Sequence, residues 1–135
     1  MQEHSILQTF EVLRMVAESK PIGFEHNKKS EYEFTVKNKR MILRKNGIYF
    51  GWYIMMLFDF VAASIFVKSE DHVRAVTKKM DVKFIKPATS AKCKVVATVD
   101  SIEGNHWNIK IEMIDEVGDI VSTAECIYVD MTKSK

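Results

Sequence analysis

The segment Gly51–Val67, GWYIMMLFDFVAASIFV, decides the fold. It is apolar nearly all round a helical wheel and too long and uninterrupted for one ordinary strand, so we predict a helix that is buried nearly all round. Its length lies at the low edge of a membrane span, and Asp59 stands near its middle. We therefore interpret it as a core helix, not a membrane helix, and the rest of the chain should cover it.

Segments of alternating polar and apolar residues flank this helix and predict strands. The predicted strands are Glu31–Lys37, Ala75–Ile85, Lys92–Ile102, His106–Ile114 and Ile120–Asp130. Short turn signals join most of the later strands, which makes neighbouring strands antiparallel. The resulting fold class is α+β, with an antiparallel sheet of about five strands wrapped around one long apolar helix.

The N-terminal part of the chain differs from this pattern. Ser5–Ser19 carries apolar residues at helical spacing, which predicts an amphipathic helix, and Pro21 then breaks it. We predict a single domain over residues 1–135, with a helical extension over 1–25 and a core over 30–130.

Composition excludes several classes of protein. The 135 residues carry a formal net charge of +2, without the basic excess of a dedicated nucleic-acid binder. Two cysteines, Cys93 and Cys126, cannot form a disulfide framework and are interpreted as inert buried thiols. The N-terminus lacks the features of a signal peptide, so we expect a cytoplasmic protein with no membrane and no nucleic-acid partner. No metal-ligand spacing occurs, and we expect no metal or cofactor.

Asp59 is the residue that points most directly to chemistry. Burying an ionised carboxylate without partners costs on the order of several kcal/mol, so the presence of Asp59 in an apolar helix needs a reason. One interpretation is a structural carboxylate that accepts a bond from a backbone amide or a lysine, or that marks the exit of the helix to solvent. The other is a base or nucleophile held at a pocket or interface.

Gly51 begins the same helix and offers a second element of a reaction site. Free N–H groups at a helix start can stabilise a carbonyl oxygen that becomes negative during acyl transfer, although a glycine there is also typical of a simple cap. Asp59 follows eight residues later, about 12 Å along the axis. That separation is too large for both groups to reach one atom within a protomer, but a dimer could pair Asp59 of one chain with Gly51 of another.

Three segments in this order resemble the hotdog-fold thioesterase superfamily, in particular its phenylacetate-degradation-type acyl-CoA thioesterases. They are GIYFGWYIMMLFD (47–59), VTKKMDVKFIKPA (76–88) and DEVGDIVSTAECIYV (115–129). Family members typically carry His-Gly-Gly, six further residues and then Asp. Phe50-Gly51-Trp52 occupies the triplet here, and Asp59 stands at the acid position.

The resemblance implies hydrolysis of acyl-CoA thioesters, with coenzyme A as part of the substrate and not as a cofactor. It implies that Asp59 is the general base or nucleophile, that the Gly51 N–H polarises the carbonyl, and that Thr77 positions water or Asp59. It also implies a homodimer, possibly a dimer of dimers. Substrate contacts are expected from Asn46, Phe50, Trp52 and Met55, with Asn46 about two residues short of the family spacing.

Departures from the family pattern keep alternatives open. Phe50 replaces the histidine, and Trp52 replaces the second glycine and would narrow or block the acyl pocket. Strict alternation also turns Thr77 away from the apolar face of its strand unless a bulge intervenes or the strand lines an interface. The alternative to an enzyme is a non-catalytic acyl or acyl-CoA binding module. A purely structural oligomer is the third reading.

Overall fold

A computed structural model describes residues 11–37, 39, 51–66 and 75–131. The central helix runs from Gly51 to Ser64 and lies, in chain order, between the second and third of six strands. The strands are β1 (Ala17–Glu25), β2 (Lys29–Val36), β3 (Ala75–Phe84), β4 (Lys92–Glu103), β5 (His106–Ile114) and β6 (Ile120–Asp130). They form one sheet in the order β1-β2-β4-β5-β6-β3, and all neighbours are antiparallel.

The N-terminal prediction is wrong from residue 17 onward. Residues 11–16 are helical, but Ala17–Glu25 is a sixth strand, so the helix does not reach Ser19 and the extension is not helical to residue 25. The strand forms because it pairs with β2 from Ala17 to Glu25 at the edge of the sheet. An edge strand tolerates Pro21, whose missing N–H is not needed by a second neighbour.

The core lies between the inner face of the sheet and the central helix. Leu57, Phe58 and Val61 have no exposed surface, and Val95 and Ile111 of the sheet are buried with them. Each such side chain contributes roughly 1.5–3 kcal/mol by leaving water. Within the described ranges, no helix is long and apolar enough to cross a membrane.

One face of the central helix is only partly covered by the described residues, and it is called the uncovered face below. Trp52 and Met55 are 40% and 42% exposed, and Asp59 is only partly buried. These positions follow each other at intervals of three and four residues, so they form one stripe along the helix. The expectation that the helix is buried nearly all round is therefore wrong for a single protomer.

Strand β3 is the last strand of the sheet and carries a bulge. Thr77 pairs with Tyr128 of β6, but Lys79 pairs with the adjacent Ile127, so Lys78 is the extra residue. A bulge shifts the alternation of side chains by one position. As a result Thr77 faces the same side as Met80, towards the central helix.

Candidate active site

The carboxylate of Asp59 lies where the central helix meets β3 and β6. The hydroxyl of Tyr128 donates a hydrogen bond of 2.6 Å to Asp59 Oδ1. The hydroxyl of Thr77 donates to the same oxygen at 3.0 Å. In the part of the chain that the structure describes, no residue donates to Oδ2. The partners of Asp59 are thus two hydroxyl groups, and not the backbone amide or lysine that a structural carboxylate was expected to have.

Thr77 contacts Asp59 only because of the bulge at Lys78. Without the extra residue, strict alternation would place the Thr77 side chain on the outer face of the sheet. Thr77 therefore faces the central helix, and the bulge named as the exception to strict alternation is present. Bulges commonly re-aim a side chain next to a reaction site.

Tyr128 was missed by the sequence reasoning. It is 1% exposed, and burial raises the pKa of its hydroxyl well above the usual value, with the negative charge of Asp59 acting in the same direction. The hydroxyl therefore stays protonated and stays a donor. The alternation of β6 places Tyr128 on the side facing the helix with Ala124 and Cys126, but no local pattern links it to Asp59, 69 residues away.

Gly51 is the first residue of the central helix, and Phe84 of β3 lies against it. A Cβ atom built at Gly51 would meet Cζ of Phe84 at 3.3 Å. The Phe84 side chain is itself 54% exposed at the end of its strand. The helix start is thus packed by an aromatic ring on one side, and a larger residue at 51 would displace that ring.

The remaining candidate residues lie either outside the described residues or on the uncovered helix face. Asn46 and Phe50 lie outside the described residues. Trp52 is edge-on to the Tyr53 ring with centroids 6.3 Å apart, and it stands with Met55 on the uncovered helix face. No group of His, Cys, Asp and Glu within residues 11–37, 51–66 and 75–131 could hold a metal ion.

The two cysteines lack the character of nucleophiles. Both are buried, and burial raises the pKa of the Cys93 and Cys126 thiols to about 12. The charge of Asp59 adds to the effect at Cys126. A thiol with such a pKa is almost wholly protonated at neutral pH, so Asp59 is the better candidate for the reacting group.

An antiparallel sheet curved around one central helix is the hotdog fold. Residues 46–122 match the model of the thioesterase superfamily. That match covers more than half of the chain, so the chain belongs to the thioesterase superfamily and is a thioester hydrolase. No curated protein matches its sequence.

Solved structures share this fold at low sequence identity. A Streptococcus mutans protein bound to acetyl CoA is 16% identical with a TM-score of 0.74, covering 87% of this chain and 92% of that one. The PaaI protein from the phenylacetic acid degradation operon of E. coli is 14% identical with a TM-score of 0.74, covering 95% of both chains. A phenylacetic acid degradation-related protein from Ralstonia eutropha is 17% identical with a TM-score of 0.70, covering 88% and 89%. At these identities the likeness concerns the fold alone.

Proposed function

We propose that this chain hydrolyses acyl-CoA thioesters at a site shared by two copies. Asp59 of one copy acts as general base or nucleophile, and the Gly51 N–H of the other polarises the thioester carbonyl. The observation that carries the proposal is the Asp59 carboxylate, which two hydroxyl groups hold by one oxygen on an uncovered and otherwise apolar helix face. A carboxylate that is positioned but open on one side is what a general base requires.

The second copy is inferred from the edge of the sheet and from the spacing on the helix. Among the described strands, β3 has a neighbour on one side only, so its other edge offers backbone groups for pairing. The helix face that carries Trp52 and Met55 is uncovered in the same protomer. Pairing of β3 with its copy across a two-fold axis would satisfy the edge and bring two helices together.

The chemical step balances with water as the only other reactant. With Asp59 as base, the carboxylate takes a proton from water, the oxygen of that water bonds to the carbonyl carbon, and the carbon–sulfur bond breaks. The proton then passes to the leaving thiolate, which gives a free acid and coenzyme A. With Asp59 as nucleophile, its oxygen bonds to the carbonyl carbon first, and water then cleaves the resulting anhydride. The Gly51 N–H stabilises the negative oxygen in either route.

The substrate class is supported by chemistry at the helix face and by a structural neighbour. Trp52 and Met55 present an aromatic ring and a flexible thioether, which suit an apolar acyl group. The Streptococcus mutans protein that shares the fold is bound to acetyl CoA. We infer an acyl-CoA substrate from these two observations.

Release of free coenzyme A from short, long and aromatic acyl-CoAs tests the activity. We expect turnover by the wild type and a loss of about 10²–10⁴-fold in Asp59→Asn, because the amide cannot accept a proton. Asp100→Asn is the matched control, since Asp100 is an exposed carboxylate on β4. Full activity of Asp59→Asn would refute the role of Asp59. In ¹⁸O-labelled water, label found in Asp59 after a single turnover would establish the nucleophilic route, with water attacking the Asp59 carbonyl carbon of the anhydride, because the general-base route places label only in the released acid.

Mixing two inactive variants tests the shared site. Asp59→Asn and Gly51→Pro each damage one half of both sites in their own dimers. If the halves come from different chains, a mixed dimer has one intact site, and an equimolar mixture regains about a quarter of wild-type activity. No recovery after verified subunit exchange would place both groups in one chain and refute the shared site.

A non-catalytic binding module is the second candidate, and Trp52 is the observation that favours it. The ring stands on the uncovered helix face beside Met55, in the position where the family has its second glycine. Saturable binding of acyl-CoA without release of coenzyme A from any substrate would favour this candidate over hydrolysis.

A further inference from the structure

We propose that Tyr128 is a positioning residue for Asp59: with Thr77 it holds Oδ1, and it leaves Oδ2 as the oxygen that meets water or the thioester carbon. This inference rests on the proposed hydrolysis and adds a residue and a reacting atom to it. The carrying observation is that both hydroxyl groups donate to one carboxylate oxygen, at 2.6 and 3.0 Å.

The two bonds define the orientation of the carboxylate from two strands. Tyr128 approaches from β6 and Thr77 from β3, and these residues are direct cross-strand partners. Two donors fixed by neighbouring strands restrict rotation of the Asp59 side chain, which otherwise has a broad terminal torsion. Holding a reacting group in one geometry raises the rate of the reaction by roughly several powers of ten.

The Tyr128 ring is itself packed against other aromatic rings. The ring of Phe66, just after the central helix, stacks on it with centroids 5.6 Å apart and an interplanar angle of 25°. Trp107 of β5 meets Phe66 edge-on at 4.9 Å. Because Tyr128 is 1% exposed, water cannot readily replace its hydroxyl as the donor. The short bond to Asp59 is therefore a built feature of the core and not a surface contact.

The charged and titratable groups around Asp59 show which neighbours can stabilise its carboxylate. From β6, Tyr128 and Cys126 face the carboxylate, and β3 contributes Thr77, which does not titrate. Asp81 of β3 acts on Cys126 from further along the strand. Among the described residues, no lysine, arginine or histidine forms an ion pair with Asp59. The two neutral hydroxyls are thus the groups that stabilise its negative form.

Tyr128→Phe removes the hydroxyl and keeps the ring that packs on Phe66. The measurement is kcat and KM, determined separately at one fixed pH on protein whose fold is verified by circular dichroism. A carboxylate that is free to rotate spends less time in the reactive geometry, so we expect kcat to fall by about tenfold or more while KM stays within about threefold of the wild type. Thr77→Val should lower kcat in the same way, because it removes the second donor from the same oxygen.

Tyr32→Phe is the matched control, since Tyr32 makes ring contacts with Phe34 and Phe60 and its hydroxyl is not bonded to Asp59. We expect its kcat and KM to equal those of the wild type. A folded Tyr128→Phe variant that keeps the wild-type kcat would overturn the inference, and so would a change confined to KM. The outcome remains separate from the proposed function, because an active Asp59→Asn refutes hydrolysis through Asp59 itself. If Tyr128→Phe does not fold, Thr77→Val decides on the same two readouts.

Discussion

Replacement of Gly51 by proline or by alanine isolates one backbone N–H group. Gly51 is the first residue of the central helix, where the N–H has no intrahelical partner. Proline fits this position because its fixed φ is helical and its missing N–H is not needed there. Alanine keeps the N–H and adds only the Cβ atom. The pair of variants therefore differs mainly in the donor proposed to stabilise the oxyanion.

The structure gives the expected size of each effect. The added Cβ would lie 3.3 Å from Cζ of Phe84, so the ring must move by a few tenths of an ångström. Phe84 is 54% exposed at the end of β3 and can move outward at little cost. We expect Gly51→Ala to retain activity within about threefold, whereas the loss of one oxyanion donor lowers kcat by about 10²–10³-fold in Gly51→Pro.

Release of coenzyme A under saturating acyl-CoA measures kcat for both variants. Circular dichroism and thermal unfolding on the same samples show whether the helix is retained. With both proteins folded, a proline variant that keeps the wild-type kcat would refute the role of the Gly51 N–H. An alanine variant as impaired as the proline variant would also refute it, and would assign the defect to the displaced Phe84 ring.

Two further predictions concern the core. Because the pKa of the Cys93 and Cys126 thiols is about 12 in the folded protein, against a usual value near 9, only the unfolded chain ionises them as pH rises. The stability that protonated thiols contribute is fully present below about pH 8.5 and is lost progressively towards pH 12. Ellman's reagent should label both thiols at pH 8 far more slowly in buffer than in urea. Equal labelling rates would contradict the burial of the two thiols. Leu57→Ala should lower the free energy of unfolding by about 2–5 kcal/mol, because Leu57 has no exposed surface. Val117→Ala, at a turn position 78% exposed, should cost less than about 1 kcal/mol. Urea titration at fixed protein concentration compares the two variants, and a reversed order would be inconsistent with the described packing.

The sequence by itself determined the features that depend on neighbouring residues. The strands predicted over His106–Ile114 and Ile120–Asp130 have the bounds of β5 and β6 in the structure. For β5 the prediction came from clean alternation, because side chains of a strand alternate with a period of two whatever the strand pairs with. For β6 it came from the turn signal before it. Asp59 was found in the same way, since a carboxylate within an apolar stretch is visible without any tertiary contact.

The tertiary structure alone decided how the candidate site is assembled. β1 exists as a strand because it pairs with β2, although its own sequence contains Pro21 and little alternation. The direction of Thr77 depends on one extra residue at Lys78, and that bulge is defined only by the register with β6. Tyr128 meets Asp59 from 69 residues away for the same reason. Cross-strand register is a property of the whole sheet, so no local pattern in the sequence contains it.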